Sequence, residues 1–273
     1  MSDNLGDRMK EYELRDRSYL QRRAYTVIRV DGKAFHTYTK GLDKPFDVGL
    51  VGDMANTTKY LCENIQGCKV GYTQSDEISL VLTDFDKIGT DAFFGGQVQK
   101  VCSVVASMAT ARFNQLRLLR AAFDDEFAPN PTQVINVDEL PQLAVFDARC
   151  FSVSSQDEAI NYLRWRQQDA VKNSISMVAQ SLYSHKELHK KNGSEKQEMI
   201  FQKGQNWNNY PESQKRGSTI VKTYVKTTNP KFKALEDKLD VLEFYERTKW
   251  DVQTPDYRGE DGFAYLSDVI PKL

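Results

Sequence analysis

Little in this chain suggests a cross-linked or metal-knotted fold. It has four cysteines, Cys62, Cys68, Cys102 and Cys150, none in CxxC spacing. Neither a zinc ribbon nor a disulfide framework is expected, and a reducing, cytoplasmic setting is. No run approaches the about 18–20 apolar residues that a membrane helix needs. The N-terminal stretch MSDNLGDRMKEYELRDRSYLQRR is charged throughout and lacks the apolar centre of a secretory signal, so no membrane partner is expected. Neither GxGxxG nor a Walker A loop occurs, which leaves Rossmann and P-loop phosphate binding without support. A large charge of one sign is missing as well: 37 Lys+Arg stand against 38 Asp+Glu, a net of −1. What is present is an ordinary soluble composition, 40% hydrophobic and 27% charged over 273 residues, enough for one or two domains.

The near-zero total hides a segregated distribution. From Tyr183 to Lys233 there are 11 Lys/Arg and 4 Glu with no Asp, a local net of +7, whereas Ala234 to Leu273 carries 10 acidic and 5 basic residues. A basic excess of this kind attracts a phosphate backbone. Interleaved Tyr183, Phe201, Trp207, Tyr210 and Tyr224 could stack on bases, and could equally be core. Charge alone does not choose between a nucleic-acid surface and a solvated face.

Periodicity orders the chain. Ala24 to Val30 is β-rich and stops at Asp31-Gly32; Phe46 to Asn64 has helical apolar spacing. Lys69–Thr73 and Ile78–Leu82 read as a hairpin around Gln74-Ser75-Asp76-Glu77, although no Asn-Gly or Asp-Gly marks its turn. Gln97 to Leu119 predicts a helix with a wide apolar stripe, followed by a polar, proline-bearing stretch at Asp124–Asn136 and a strand at Val145–Val153. This βαββαβ order predicts an α+β, ferredoxin-like antiparallel sheet with helices on one face. Beyond it, Gln156 to Leu188 predicts a helix capped by Ser155, Thr219 to Thr227 a strand, and Ala234 to Glu246 a short helix, so the C-terminal part is expected to be mostly helical.

In such a sheet the first strand and the hairpin are central neighbours, which brings Asp31 towards Asp76 and Glu77. Converging carboxylates repel unless a cation neutralises them. Mg²⁺ takes oxygen ligands from one or two carboxylates plus substrate phosphates, and two such ions about 3.5–4 Å apart can serve phosphoryl transfer. The Gly32 carbonyl could add a further oxygen. A turn-forming Asp beside an exposed acidic hairpin fits the spacing too. His185 and His189 have i, i+4 spacing, but Glu187 is not placed as a zinc protease requires, which favours a solvated pair over a zinc site.

Four blocks, Arg29-Val-Asp-Gly-Lys-Ala-Phe-His36, Lys44-Pro-Phe-Asp47, Gly71-Tyr-Thr-Gln-Ser-Asp-Glu-Ile-Ser79 and Tyr162-Leu-Arg-Trp-Arg-Gln-Gln-Asp169, resemble in sequence and in order the motifs of the tRNA-His guanylyltransferase family. The resemblance spans roughly residues 8 to 226. It implies a polymerase-like palm in residues 1–140, with the last palm strand and a fingers-like, tRNA-handling region in 141–273. It implies Asp31, Asp76 and the Gly32 carbonyl as ligands of two Mg²⁺ ions, and Glu77 as an acidic neighbour supporting catalysis. Asp31, Gly32, Lys33, Ala34, Phe35, His36, Lys44, Ser75, Asp76 and Lys100 are implied to contact nucleotide, with Lys33, His36 and Lys100 facing phosphates. Lys186, Lys190, Lys215 and Arg216 are expected to bind tRNA. The implied assembly is a homotetramer built from dimers.

The implied activity is 3′-to-5′ nucleotide addition at the 5′ end of tRNA, with ATP, GTP and other nucleoside triphosphates as substrates. Where the eukaryotic enzymes carry His-Ile-Asn-Asn-Leu-Tyr-Asn, this chain reads Val171-Lys-Asn-Ser-Ile-Ser-Met177. That departure, with Ser184–His189 and Gln214–Ser218 resembling bacterial, archaeal and phage-type relatives, favours templated 5′-end repair. A guanylyltransferase strictly for tRNA-His, a nucleotidyl cyclase on the same sheet and a catalytically silent tRNA-binding module are the alternatives.

Overall fold

The β-branched run Tyr25–Gly32 forms β1 at the centre of a six-stranded sheet of order β4-β1-β3-β2-β5-β6, in which every neighbouring pair is antiparallel. A computed structural model describes residues 4–123, 142–228 and 244–273. Along them run α1 (Leu5–Arg15), β1, α2 (Phe35–Tyr38), α3 (Val48–Asn64), β2 (Cys68–Gln74), β3 (Glu77–Leu82), α4 (Val98–Phe123), β4 (Phe146–Val153), α5 (Gln156–Leu182), α6 (His185–Leu188), α7 (Gly193–Gln202), α8 (Glu212–Arg216), β5 (Ser218–Thr228), β6 (Phe244–Gln253) and α9 (Gly259–Val269). The first four strands keep the 4-1-3-2 order expected of the split βαβ unit.

Side chains alternate across each strand, and the two faces bury different helices. Ile28 and Val30 of β1 with Ile78 and Leu80 of β3 pack on Met54 and Leu61 of α3 and on Val101, Val105 and Phe113 of α4. Tyr25, Val81, Val70 and Tyr72 face the other way, onto Ala159, Ile160 and Leu163 of α5, Leu266 of α9 and Ile270 just after it. The two palm helices thus share one face as expected, and the C-terminal helices close the opposite one. The C-terminal part also lends β5 and β6 to the sheet. A smaller core joins the second half of α5 (Ile175, Val178) to Leu188, Ile200 and Trp207.

Local chemistry sets the boundaries. Asp47 caps α3 by accepting from the Leu50 amide at 2.6 Å, and Ser155 caps α5 by accepting from Glu158 N. The helix expected over Gln156–Leu188 breaks at Tyr183, which is extended, because Ser184 and Glu187 form a capping box that starts α6 afresh. Of the helix expected at Ala234–Glu246, residues 234–243 lie outside the described residues, as does Asp124–Asn136; Phe244 to Glu246 belong to β6 instead. Among the described residues no helix is long and apolar enough to cross a membrane.

Candidate active site

Alternation along β1 puts Arg29 and Asp31 on the α5 face, and register puts Glu77 of β3 and Asp147 of β4 directly opposite Asp31 on its two sides. Three acids therefore sit side by side across three strands. Like charges directly opposed are destabilising, and arginines compensate. Arg29 Nη2 lies 2.8 Å from Asp31 Oδ2 and 3.0 Å from Glu77 Oε2. Arg166 of α5 grips Glu77 with both its Nε (2.6 Å) and Nη2 (2.9 Å) and also reaches Asp169 at 3.0 Å. Arg149 bridges Asp147 at 3.4 Å and Asp31 at 3.7 Å. Glu77 and Arg166 are 5% and 3% exposed, so this is a buried, bidentate pair. Burial pushes the Glu77 carboxyl above the ordinary glutamate value, although Arg166 and Arg29 pull it back. Both oxygens of Glu77 are thus committed to arginine.

The hairpin closes with Gln74 opposite Glu77, leaving Ser75 and Asp76 as a two-residue tip, with Ser75 left-handed at φ 51°. The Gly32 amide donates to the Asp76 carbonyl at 3.1 Å, which ties the tip to the end of β1 and brings Asp76 beside Asp31. Burial raises the Asp76 carboxyl, the nearby Asp31 charge raises it further, and Ser75 and Arg29 offset only part of this. Glycine is required at 32 because an added Cβ would sit 2.2 Å from the Phe35 ring. That ring folds back into the core against Tyr38, Phe113 and Phe146.

The remaining expected site residues divide sharply. Lys33 and Ala34 are exposed on the turn after β1, which is shaped by the Lys33 amide donating to Val145 O (2.8 Å) and by left-handed Ala34, and His36 is exposed on α2. Phe35, expected to contact nucleotide, is buried, because its ring completes the core under that turn. Lys44 is exposed, with Nζ 3.4 Å from Thr39 O. Lys100 does not join the site. Thr110 and Asn114 of α4 bond Phe146 and Ala144 beside the Asp31 end of the sheet. Lys100 lies roughly 10–14 residues earlier, about 15–21 Å along the helix, with its ammonium over Phe94. Lys186 and Lys190 are exposed.

Lys215 and Arg216 are not the free cations expected for tRNA. Lys215 is buried between Glu212 (2.6 Å) and the Asn208 carbonyl (2.9 Å), and Arg216 pairs with Glu212 (3.0 Å) and Asp256 (3.3 Å); both rest on Trp207. Arg29, Arg149 and Asp147 were not singled out from sequence, although their odd-numbered spacing with Asp31 and strand pairing carries the signal. His185 and His189 are exposed and Glu187 is used in capping; among the described residues no three or more His, Cys, Asp or Glu gather as a metal cluster.

The donors that could meet a hard divalent cation are the Asp31 and Asp76 carboxylates and the Gly32 carbonyl, an oxygen-only set in which Asp76 is under-neutralised. They fit Mg²⁺ shared with a substrate's phosphates, not an all-protein cage. Beside the tip, a cleft lined by Phe46, Asp47, Gln74, Ser75, Asn173 and Ser174 opens between the start of α3 and α5.

Residues 6–154 match the family model described as tRNAHis guanylyltransferase. A structure of a bacterial tRNA(His) guanylyltransferase (Thg1)-like protein in complex with ATP aligns with TM-score 0.77 and 38% identity over 98% of this chain and 99% of that one. The complex of such a protein with GTP aligns with TM-score 0.74 and 39% identity over the same shares. An uncharacterised protein of Acanthamoeba polyphaga mimivirus is 31% identical over 246 residues, 85% of this chain and 81% of its own length. The family model covers more than half of the chain and the solved relatives share its fold, so the chain belongs to the tRNA-His guanylyltransferase family of nucleotidyltransferases.

Proposed function

We propose that this chain extends tRNA at its 5′ end in the 3′-to-5′ direction, guided by a template base. The carrying observation is that Asp31 and Asp76 stand together with an oxygen-only donor set while Glu77 is held by arginine. First, the tRNA 5′-phosphate attacks the α-phosphate of ATP, forming a 5′-adenylylated end and releasing pyrophosphate. The 3′-hydroxyl of an incoming nucleoside triphosphate then attacks the activated phosphate and releases AMP. The new 5′ end carries its own triphosphate, so growth runs 3′-to-5′.

Phosphoryl transfer needs positioning and charge neutralisation more than covalent help. Asp31, Asp76 and the Gly32 carbonyl would hold two Mg²⁺ ions, which when bound would neutralise phosphate charge and activate the attacking oxygen. Arg29 and Arg149 hold the Asp31 side chain at the strand end. Exposed Lys33 and His36 would face phosphates, and Lys44 and Ser75 would contact the nucleotide. Residues 1–140 with β4 would form the palm, and residues 141–273 would handle tRNA through Lys186 and Lys190. The assembly carried over from the family would be a homotetramer, a dimer of dimers. The test offers 5′-truncated and full-length tRNAs with each nucleoside triphosphate. Addition of only the complementary nucleotide to truncated tRNA, lost in Asp76→Asn, is expected. Untemplated guanosine addition confined to tRNA-His would replace repair by strict guanylylation.

A further inference from the structure

Trp165 is the one tryptophan of three that meets solvent: it is 51% exposed, whereas Trp207 and Trp250 are each 7% exposed. It is held firmly all the same. The Arg166 guanidinium sits 4.3 Å from the centre of its ring, and Tyr162 meets it edge-on at 5.8 Å. Tyr162 in turn contacts Phe151 of β4 at 5.5 Å and its hydroxyl lies 3.4 Å from Ser79 Oγ. Arg166 sits against one indole face, and half of the residue remains open to solvent.

This row of rings flanks the carboxylates. Phe151 shares a sheet face with Arg149 and Asp147, the residue opposite Asp31, and the far end of the row rests on the arginine that grips Glu77. Exposed aromatics interleaved with cations are what single-stranded nucleic acid meets in its binding grooves, because every base has a stackable face and every link a negative charge. Arg149, its side chain 55% exposed, supplies the neighbouring cation. Resting on the function proposed above, we propose that Trp165 is a stacking platform for an unpaired nucleobase of the RNA substrate near its reacting 5′ end.

The position of the ring makes it its own probe. A 5′-truncated tRNA should quench the tryptophan fluorescence of the wild-type protein, and the quench should vanish in Trp165→Phe, whose other two tryptophans are buried. Trp165→Leu, which still covers Arg166 but stacks poorly, should weaken RNA binding about 5- to 150-fold, while Trp165→Phe should retain most of the affinity. Equal quenching by ATP alone would assign the platform to the nucleotide substrate and overturn the RNA assignment. A changed elution volume for Trp165→Leu would assign the face to a second copy of the chain and overturn it too. If wild-type protein neither binds nor extends RNA, the proposed function falls. If it does both and Trp165→Leu binds RNA equally well, only the platform falls.

Discussion

Replacing Arg166 by methionine keeps much of the side-chain volume and removes the charge that holds Glu77. The carboxylate would be left 5% exposed with Arg29, 3.0 Å away, as its remaining cation. Breaking a buried pair by deleting one partner costs about 3–5 kcal/mol, and the surviving Arg29 contact puts the expectation near the lower end. For a protein of this size, about 3 kcal/mol corresponds to a fall in Tm of about 6–12 °C. The double variant Arg166→Met/Glu77→Gln removes both charges and should regain most of that loss, since the cost lies in the stranded carboxylate and not in the missing contact.

The pH dependence gives an independent sign. Burial already raises the Glu77 carboxyl and Arg166 pulls it back; without Arg166 it rises further. A carboxyl whose folded value exceeds its unfolded value stabilises the fold while protonated, and that stability is lost as pH rises from the ordinary glutamate range through the raised folded value. Arg166→Met should therefore recover stability on mild acidification, opposite to the loss of an ordinary surface ion pair. Thermal melts of wild type, both single variants and the double variant across pH measure this. A drop below about 2 °C for Arg166→Met, or a double variant no better than the sum of the singles, would refute the reasoning.

Asp76→Asn should abolish nucleotide addition in a primer-extension assay and yet melt at or above the wild-type temperature at neutral pH, because it removes a carboxyl raised by burial and by Asp31; the difference should close as pH falls into the ordinary aspartate range. Gly32→Ala should cost about 1–3 kcal/mol in urea unfolding by driving a methyl into the Phe35 ring, and Gly32→Ala/Phe35→Leu should cost less than the sum of its parts. In tRNA binding measured against salt, Lys190→Ala should lower the slope by about one. Lys215→Met should leave the slope unchanged while destabilising the fold by about 1–3 kcal/mol, since it strands the Asn208 carbonyl, whereas Glu212 keeps Arg216.

Strong local periodicity was legible, and so were the elements it specifies: β1, the hairpin, α3, α4 and the first part of α5 fall within a few residues of expectation. The break at Tyr183 was harder to see, because the apolar spacing runs on to Leu188 while the interruption depends on one capping box. The site was legible where its residues share a motif, as with Asp31, Gly32, Ser75 and Asp76. It was illegible where a residue's role depends on its distant neighbours. The resemblance implies that Lys100 faces phosphates, yet the length of α4 carries it away from the carboxylates.

By itself the sequence determined the alternating and helical patterns, the acids at strand ends and the four motif blocks, since each is a matter of residue type at short spacing. Tertiary structure decided which charges are free. The +7 stretch contains Lys215 and Arg216, but Glu212 and Asp256 neutralise them, so counting charges along the chain overstates what a phosphate backbone would meet. It also placed Asp147 opposite Asp31 and brought the sulfurs of Cys102 and Cys150, 48 residues apart, to 3.5 Å. Electrostatics and packing act through space, and strand register, which no local spacing encodes, sets those distances.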